Sequence, residues 1–183
     1  MAQRFSAAIE LPFRKSALAA EVALAAPHRG NTGLSTYFIT AATFQKHSLF
    51  QSDRMASLFL EVLLYYSTQQ KYLLHEFVIM PDHFHLLLTP TLTLERALQL
   101  IKGGFSFRAK QELGFGGEIW EKSFYDRRLR DWQEYCAFRQ YIHSNPVKKG
   151  LAGTAEKYPY SSANPNIVLD VVPQQLKPSD SAA

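Results

Sequence analysis

Residues 71–90, KYLLHEFVIMPDHFHLLLTP, decide the organisation of this chain. Two apolar runs, KYLLHEFVIM and HFHLLLTP, are split by Pro81-Asp82, a pair that ends one strand and starts a tight turn. The stretch therefore reads as two strands joined in a hairpin. Side chains alternate across a strand, so His83, His85 and Leu87 face one way while Phe84, Leu86 and Leu88 face the other. Two imidazoles thus project side by side from a run that otherwise suits a buried strand.

Upstream, STYFITAATF is rich in β-branched and aromatic residues without a breaker, and predicts a first strand over about 36–44. In QSDRMASLFLEVLLYYSTQQ, Met55, Leu58, Phe59, Val62, Leu63 and Tyr66 form one helical apolar stripe, with Ser52 or Asp53 as the N-cap. Downstream, a second helix is expected from Thr93 to about Leu113, with Leu94, Leu98, Ile101, Phe105 and Leu113 on one face. Gly103-Gly104 in its middle costs about 1 kcal/mol each relative to Ala and predicts a kink or a close backbone approach. A fourth strand is expected around 123–130. A third helix should run from about Asp131 to Ser144 and stop at Asn145-Pro146, because proline disfavours helical geometry in the residue before it. The order β-α-β-β-α-β plus one added helix is the split βαβ, or ferredoxin-like, α+β arrangement. The expected divisions are an irregular N-terminal arm over 1–34, one domain over 35–163 and a loosely ordered tail over 164–183.

Composition narrows the class. At 183 residues the chain suits one hydrophobic core, and 46% hydrophobic with 13% aromatic residues excludes wholesale disorder. No apolar run approaches the roughly 20 residues that span a bilayer, and the Ala-rich opening is interrupted by Glu21, a poor secretory signal. A soluble, cytoplasmic protein without membrane contact is expected. With Cys136 as the single cysteine, a metal would have to bind through imidazole, carboxylate or amide groups. The net charge of +4 lies within Lys102–Lys149, where ten Lys/Arg face six Asp/Glu beside Trp120, Phe124, Tyr125 and Trp132. That composition suits phosphate contact with base stacking, and equally an ordinary solvated basic face. Lys102, Arg108, Lys110, Arg127, Arg128 and Arg130 are the candidates for phosphate contacts.

The histidine pair has two readings, a preorganised half-site for a metal or the polar face of a half-exposed strand. The third helix supplies a possible complement: Tyr141 and Asn145 are four apart and share a helix face. An Asn oxygen can complete a metal site, and a phenol beside a cation and a phosphate is a candidate nucleophile; otherwise Tyr141 is a ring packed in the core. Tyr135 is six residues from Tyr141, about 240° around the helix, so both cannot face one site. Asp82 is expected to shape the turn, with support of the histidines as a further role. His75 and His143 read as ordinary polar positions.

Five blocks taken in order, YFITAATFQKHSLF, FVIMPDHFHLLL, EIWEKSFYDRRLR, YIHSNPVKKGL and YPYSS, resemble the single-tyrosine HUH (IS200-like) transposases, and among them the REP-associated tyrosine transposases, from about Tyr37 to Ser162. The resemblance implies His83 and His85 as metal ligands with Asn145 completing the site, Mg2+ or Mn2+ as cofactor, and Tyr141 as nucleophile. It implies attack on a phosphodiester in single-stranded DNA near a hairpin such as a REP-like palindrome, giving a 5′-phosphotyrosine and a free 3′-hydroxyl. The protein would act as a monomer or homodimer. Two rivals stand beside it: a derivative that only binds hairpin nucleic acid, and an RNA-recognition-like module, for which KGGFSF at 102–107 echoes a basic-Gly-aromatic signature.

Overall fold

In a computed structural model, residues 35–173 and 176 are described; the expected N-terminal arm over 1–34 lies outside them. The chain forms β1 (Tyr37–Ala42), α1 (Asp53–Thr68), β2 (Tyr72–Met80), β3 (His83–Pro90), α2 (Leu94–Leu113), β4 (Tyr125–Arg128) and α3 (Trp132–Lys148). The sheet order is β2-β3-β1-β4. Both β1 and β2 pair antiparallel with β3, so β1 and β2 run parallel with β3 inserted between them, as the split βαβ reading requires.

Alternation sorts the strands into two faces. Ile39, Ala41, Phe77, Ile79, Phe84, Leu86 and Leu88 pack against Phe59, Leu63, Ile101 and Phe105 of α1 and α2. On the other face Phe38, Val78, Met80 and Leu87 pack against Tyr135, Phe138 and Ile142 of α3. His83 and His85 share the alternation of Leu87, so they lie on the face that α3 covers.

The helix ends follow their residues. The Thr93 side chain accepts from Arg96 N at the start of α2, and Gly114, at φ 66°, takes the left-handed position that closes it. The Asp131 side chain accepts from Glu134 N at 2.8 Å to start α3. Ser52 is the N-cap of α1, though its side chain makes no capping bond. The glycine pair resolves into two situations. A Cβ on Gly104 would stand 2.7 Å from the Tyr66 ring, so α2 approaches α1 closely there, whereas Gly103 has nothing within 4 Å. The close approach is the outcome, and α2 runs unbroken.

One helix boundary departs from expectation. α3 does not stop at Asn145-Pro146; it continues to Lys148 with Pro146 inside. Asn145 and Pro146 are both buried, and Lys149 N–H still donates to Asn145 O and Gly150 N–H to Val147 O. In the last turn proline forfeits one N–H bond, and packing of its ring outweighs the local preference. Tyr141 and Asn145 are therefore truly one helical turn apart.

The stretch after α3 lines the edge of β2. Ile79 N donates to Tyr160 O, Ser162 N to Phe77 O and Asp170 N to Leu74 O, which blunts an otherwise open sheet edge. Within the segment that the sequence reading assigns to a loose tail, Asp170 Oδ2 accepts from Ser67 Oγ at 2.6 Å and Leu74 N at 2.8 Å, and Leu176 is buried. Among the described residues no helix is long and apolar enough to cross a membrane.

Candidate active site

The hairpin between β2 and β3 is a two-residue turn, Met80 pairing with His83. Its carbonyls are occupied: Pro81 O accepts from Phe50 N, and Asp82 O from both Thr43 N and Thr43 Oγ1. The start of β3 is thereby tied to the chain leaving β1. Asp82 Oδ1 then lies 2.6 Å from His83 Nδ1. A carboxylate can only accept, so His83 donates from Nδ1 and turns Nε2 outward as the free nitrogen. On β1, Thr40 is the register partner of His85, and its Oγ1 is 2.7 Å from His85 Nδ1. Both imidazoles are held at the same nitrogen, their ring centroids 4.8 Å apart. Such a grip fixes ring orientation and leaves both Nε2 atoms for a common partner.

His85 is buried, and its pKa lies well below the usual imidazole value, first because burial penalises the charged form and then because of the neighbouring His83. A neutral imidazole keeps a lone pair for a Lewis acid. From above, the Tyr141 ring stands 5.1 Å from the His85 ring at 68° and 6.1 Å from Phe38. Burial raises the Tyr141 pKa, while the adjacent Asn145 amide pulls it down more weakly. That amide contact falls short of good hydrogen-bond geometry, since Asn145 Nδ2 has no bonded partner. At rest Tyr141 is a phenol.

Among the described residues two buried side-chain nitrogens lack hydrogen-bond partners: His85 Nε2 and Asn145 Nδ2. Leaving such groups unpaired in the interior costs about 1–3 kcal/mol each, so both, beside one tyrosine, are available to a polar partner. The two ends of an Asn amide exchange on a half-turn, which offers a carbonyl oxygen in place of the orphaned nitrogen. No group of three or more His, Cys, Asp or Glu side chains suited to a metal occurs among the described residues. Two imidazoles with an amide oxygen are a donor set that accommodates a divalent cation and leaves coordination positions open.

The basic candidates do not gather here. α2 covers the opposite face of the sheet, and it carries Lys102, Arg108 and Lys110. Lys102 is half-buried, donates to Glu121 O at 2.9 Å and lies 5.7 Å over the Trp120 ring. Arg108 bonds Glu61 and Glu112. Lys110 is exposed. On β4, Arg127 pairs in register with Phe38 and so shares the imidazole face, while Arg128, opposite Tyr37, points to the other. Arg127 and Arg130 both bond Glu134 Oε1 at 2.6 Å. Burial alone would raise Glu134, but hydrogen bonds from Arg130 and Arg127 outweigh it and pull the carboxyl down to about 2. The KGGFSF stretch lies within α2 and not on a central strand, so the RNA-recognition signature is absent.

Tyr135, the competing residue on the same helix, and the later tyrosines Tyr158 and Tyr160 are occupied elsewhere. Tyr135 OH bonds Glu76, Tyr158 OH donates to Ile79 O and Tyr160 OH to Asp53 Oδ1. Sequence reasoning missed Thr40, whose only signal is its position opposite His85. It also read His75 and His143 as ordinary polar positions. His75 is buried, with Nε2 2.8 Å from Thr89 Oγ1. His143 belongs to a cluster around buried Glu76 with Arg139 and Ser162.

Fold and site together present a sheet-borne histidine pair faced by a helix-borne tyrosine. Residues 32–145 match the family model described as "Transposase IS200 like". The chain belongs to the IS200-like transposase family. It is 27% identical over 108 residues to a Haemophilus influenzae protein named "Putative REP-associated tyrosine transposase", across 52% of this chain and 61% of that protein's length. Its fold matches the solved structure of a REP-associated tyrosine transposase bound to a REP hairpin, with TM-score 0.63 and 19% identity over 85% of this chain and 96% of the other.

Proposed function

We propose that this protein cleaves and rejoins single-stranded DNA beside a hairpin, with Tyr141 as the nucleophile. The observation that carries this reading is the pair of orphaned buried nitrogens, on His85 and Asn145, beside the Tyr141 ring. In the reaction the Tyr141 oxygen forms a bond to phosphorus as the bond from phosphorus to the 3′ oxygen breaks. The phenol loses its proton and the departing 3′ oxygen gains one. One phosphodiester is exchanged for a 5′-phosphotyrosine ester, so the 3′-hydroxyl of another strand can reverse the step without an external energy source. A divalent cation such as Mg2+ or Mn2+, held by His83, His85 and Asn145, would neutralise charge on a phosphate oxygen and favour the phenolate. Asp82 and Thr40 orient the imidazoles, and the burial that keeps Tyr141 protonated at rest guards against attack without substrate. Hairpin DNA as the substrate is supported by family membership and by the hairpin bound in the structural neighbour.

The test is a denaturing gel of purified protein incubated with a hairpin oligonucleotide carrying single-stranded flanks and Mn2+. A covalent adduct should form with the wild type. Tyr141→Phe should bind the hairpin and give none; an adduct on that variant would move the nucleophile elsewhere. His83→Ala with His85→Ala should remove cleavage while the protein stays folded. Hairpin binding by the wild type without any adduct would favour a binding-only derivative.

A further inference from the structure

The segment joining β1 to α1 contains a conformational anomaly. Gln45 and Lys46 are consecutive residues with side chains at φ 51° and 53°, in the left-handed region that glycine enters without steric cost. A third such residue, Gln70, has a local reason, since it follows the C-cap of α1 and its N–H donates to Ser67 O. Gln45 and Lys46 close no α-helix; they are the two central residues of the tight turn that ends the short 3-10 segment Phe44–Lys46, where glycine is the residue suited to such φ values.

Backbone bonds impose the conformation. Lys46 N donates to Thr43 O and His47 N to Phe44 O, while Gln45 N donates to Glu121 Oε1 at 2.8 Å. Thr43 Oγ1 spans His47 O at 2.7 Å and Asp82 O at 2.8 Å. The side chains themselves point into solvent: residues 45–48 are all exposed, and Lys46 meets no carboxylate among the described residues. The molecule thus retains two strained residues whose side chains do nothing for the fold. Strain of this kind concentrates where a ligand uses the side chain.

Position says which ligand. The loop leaves β1 at Ala42, the register partner of His83, and shares Asp82 with the His83 imidazole. The site is open at this end, where His83 is partly exposed, and closed further in, where His85 is buried. A second exposed ammonium, Lys122, follows Glu121, whose N–H bonds Ala42 O. At this open end stand two exposed cations, Lys46 and Lys122, that no carboxylate engages among the described residues. Of the sequence-derived arginines, Arg108, Arg127 and Arg130 already hold carboxylates, and Arg128 points to the other face of the sheet.

Building on the DNA-cleavage reading above, we propose that residues 45–48 are a seating loop for the single-stranded flank of the substrate, Lys46 taking a backbone phosphate and Gln45 a base edge. The strained backbone presents both side chains toward the strand entering at His83.

Two variants of the chain test this. Gln45→Gly with Lys46→Gly relieves the backbone and deletes both side chains; Lys46→Gln keeps the backbone demand and removes only the charge. Binding is measured with a fluorescent hairpin carrying a single-stranded flank and with the same hairpin lacking it, alongside thermal melting. The double glycine variant should melt no lower than wild type yet bind the flanked oligonucleotide about tenfold more weakly, with the blunt hairpin unaffected. Lys46→Gln should lose about threefold to fivefold and flatten the salt dependence by about 0.7, one phosphate on a single strand. Flanked-DNA affinity within about twofold of wild type for Lys46→Gln would overturn the proposal, whatever the glycine variant does. If the wild type binds no flanked hairpin at all, the DNA-cleavage reading falls first; if it binds and forms the adduct while Lys46→Gln matches it, only the loop assignment falls.

Discussion

Glu76→Gln is the substitution with the most to say about how Tyr141 is held. The Glu76 side chain is 8% exposed on β2. Its Oε2 accepts from His143 Nε2 and Ser162 Oγ, each at 2.7 Å, and its Oε1 from Arg139 Nε at 2.9 Å and Tyr135 OH at 3.3 Å. Tyr135, Arg139 and His143 are spaced i, i+4, i+8, one stripe of α3, and the neighbouring stripe bears Phe138, Tyr141 and Asn145. The carboxylate therefore sets the rotation of α3 about its own axis, and with it the aim of the phenol. Glutamine keeps the volume but offers one acceptor and one NH2, so the NH2 end faces the ring N–H of His143 or the guanidinium of Arg139 in place of an acceptor, while the hydroxyl beside it can turn to accept. The two short bonds to a buried charge are worth about 1.5–3 kcal/mol each against about 1 for neutral ones, and half-exposed Arg139 adds little. A loss of about 1–4 kcal/mol follows, which at about 2–4 °C per kcal/mol lowers Tm by about 2–16 °C. Adduct formation on the hairpin oligonucleotide, assayed well below that Tm, should slow while hairpin affinity stays near wild type. The effect should depend on pH. Burial raises the Glu76 pKa, but the hydrogen bonds from His143 and Ser162 and the charges of His143 and Arg139 outweigh it, leaving the pKa below 4.5. A depressed carboxylate contributes its stability above its unfolded pKa and loses it as pH falls through the folded value. Wild type and Glu76→Gln should thus converge in melting temperature as acidification titrates Glu76 through its depressed folded pKa. A Glu76→Gln protein that melts with wild type at pH 7 would refute the clamp.

Thr40→Val removes the group holding His85 Nδ1, and Mn2+ affinity by calorimetry should fall about tenfold or more with the fold retained; unchanged affinity would mean that β1 does not orient the ligand. The two adjacent glycines of α2 should respond with opposite signs in thermal melts. Gly103→Ala, with open space around its Cβ, should stabilise by up to about 1 kcal/mol, whereas Gly104→Ala, driven against the Tyr66 ring, should destabilise by about 1–3 kcal/mol. Equal shifts would deny the close crossing of α1 and α2.

Much of this architecture was legible in the sequence because it is written in short-range periodicity. A period of two puts His83 and His85 on one strand face, and a spacing of four puts Tyr141 beside Asn145, whatever the rest of the chain does. The element order and the stripe Met55 to Leu63 follow from the same covalent geometry. Long-range placement was not legible. Only the tertiary structure puts α3, and not α1 or α2, over the imidazole face, because that choice depends on which apolar surfaces meet. Allocation of charge is equally nonlocal: Arg108, Arg127 and Arg130 read as available cations until Glu61, Glu112 and Glu134 are seen beside them. Thr40 and Glu76 carry no local signal, since their work is done across strands. At Pro146 the local rule was overruled outright, because burial of Asn145 and Pro146 outweighs the single hydrogen bond that proline forgoes.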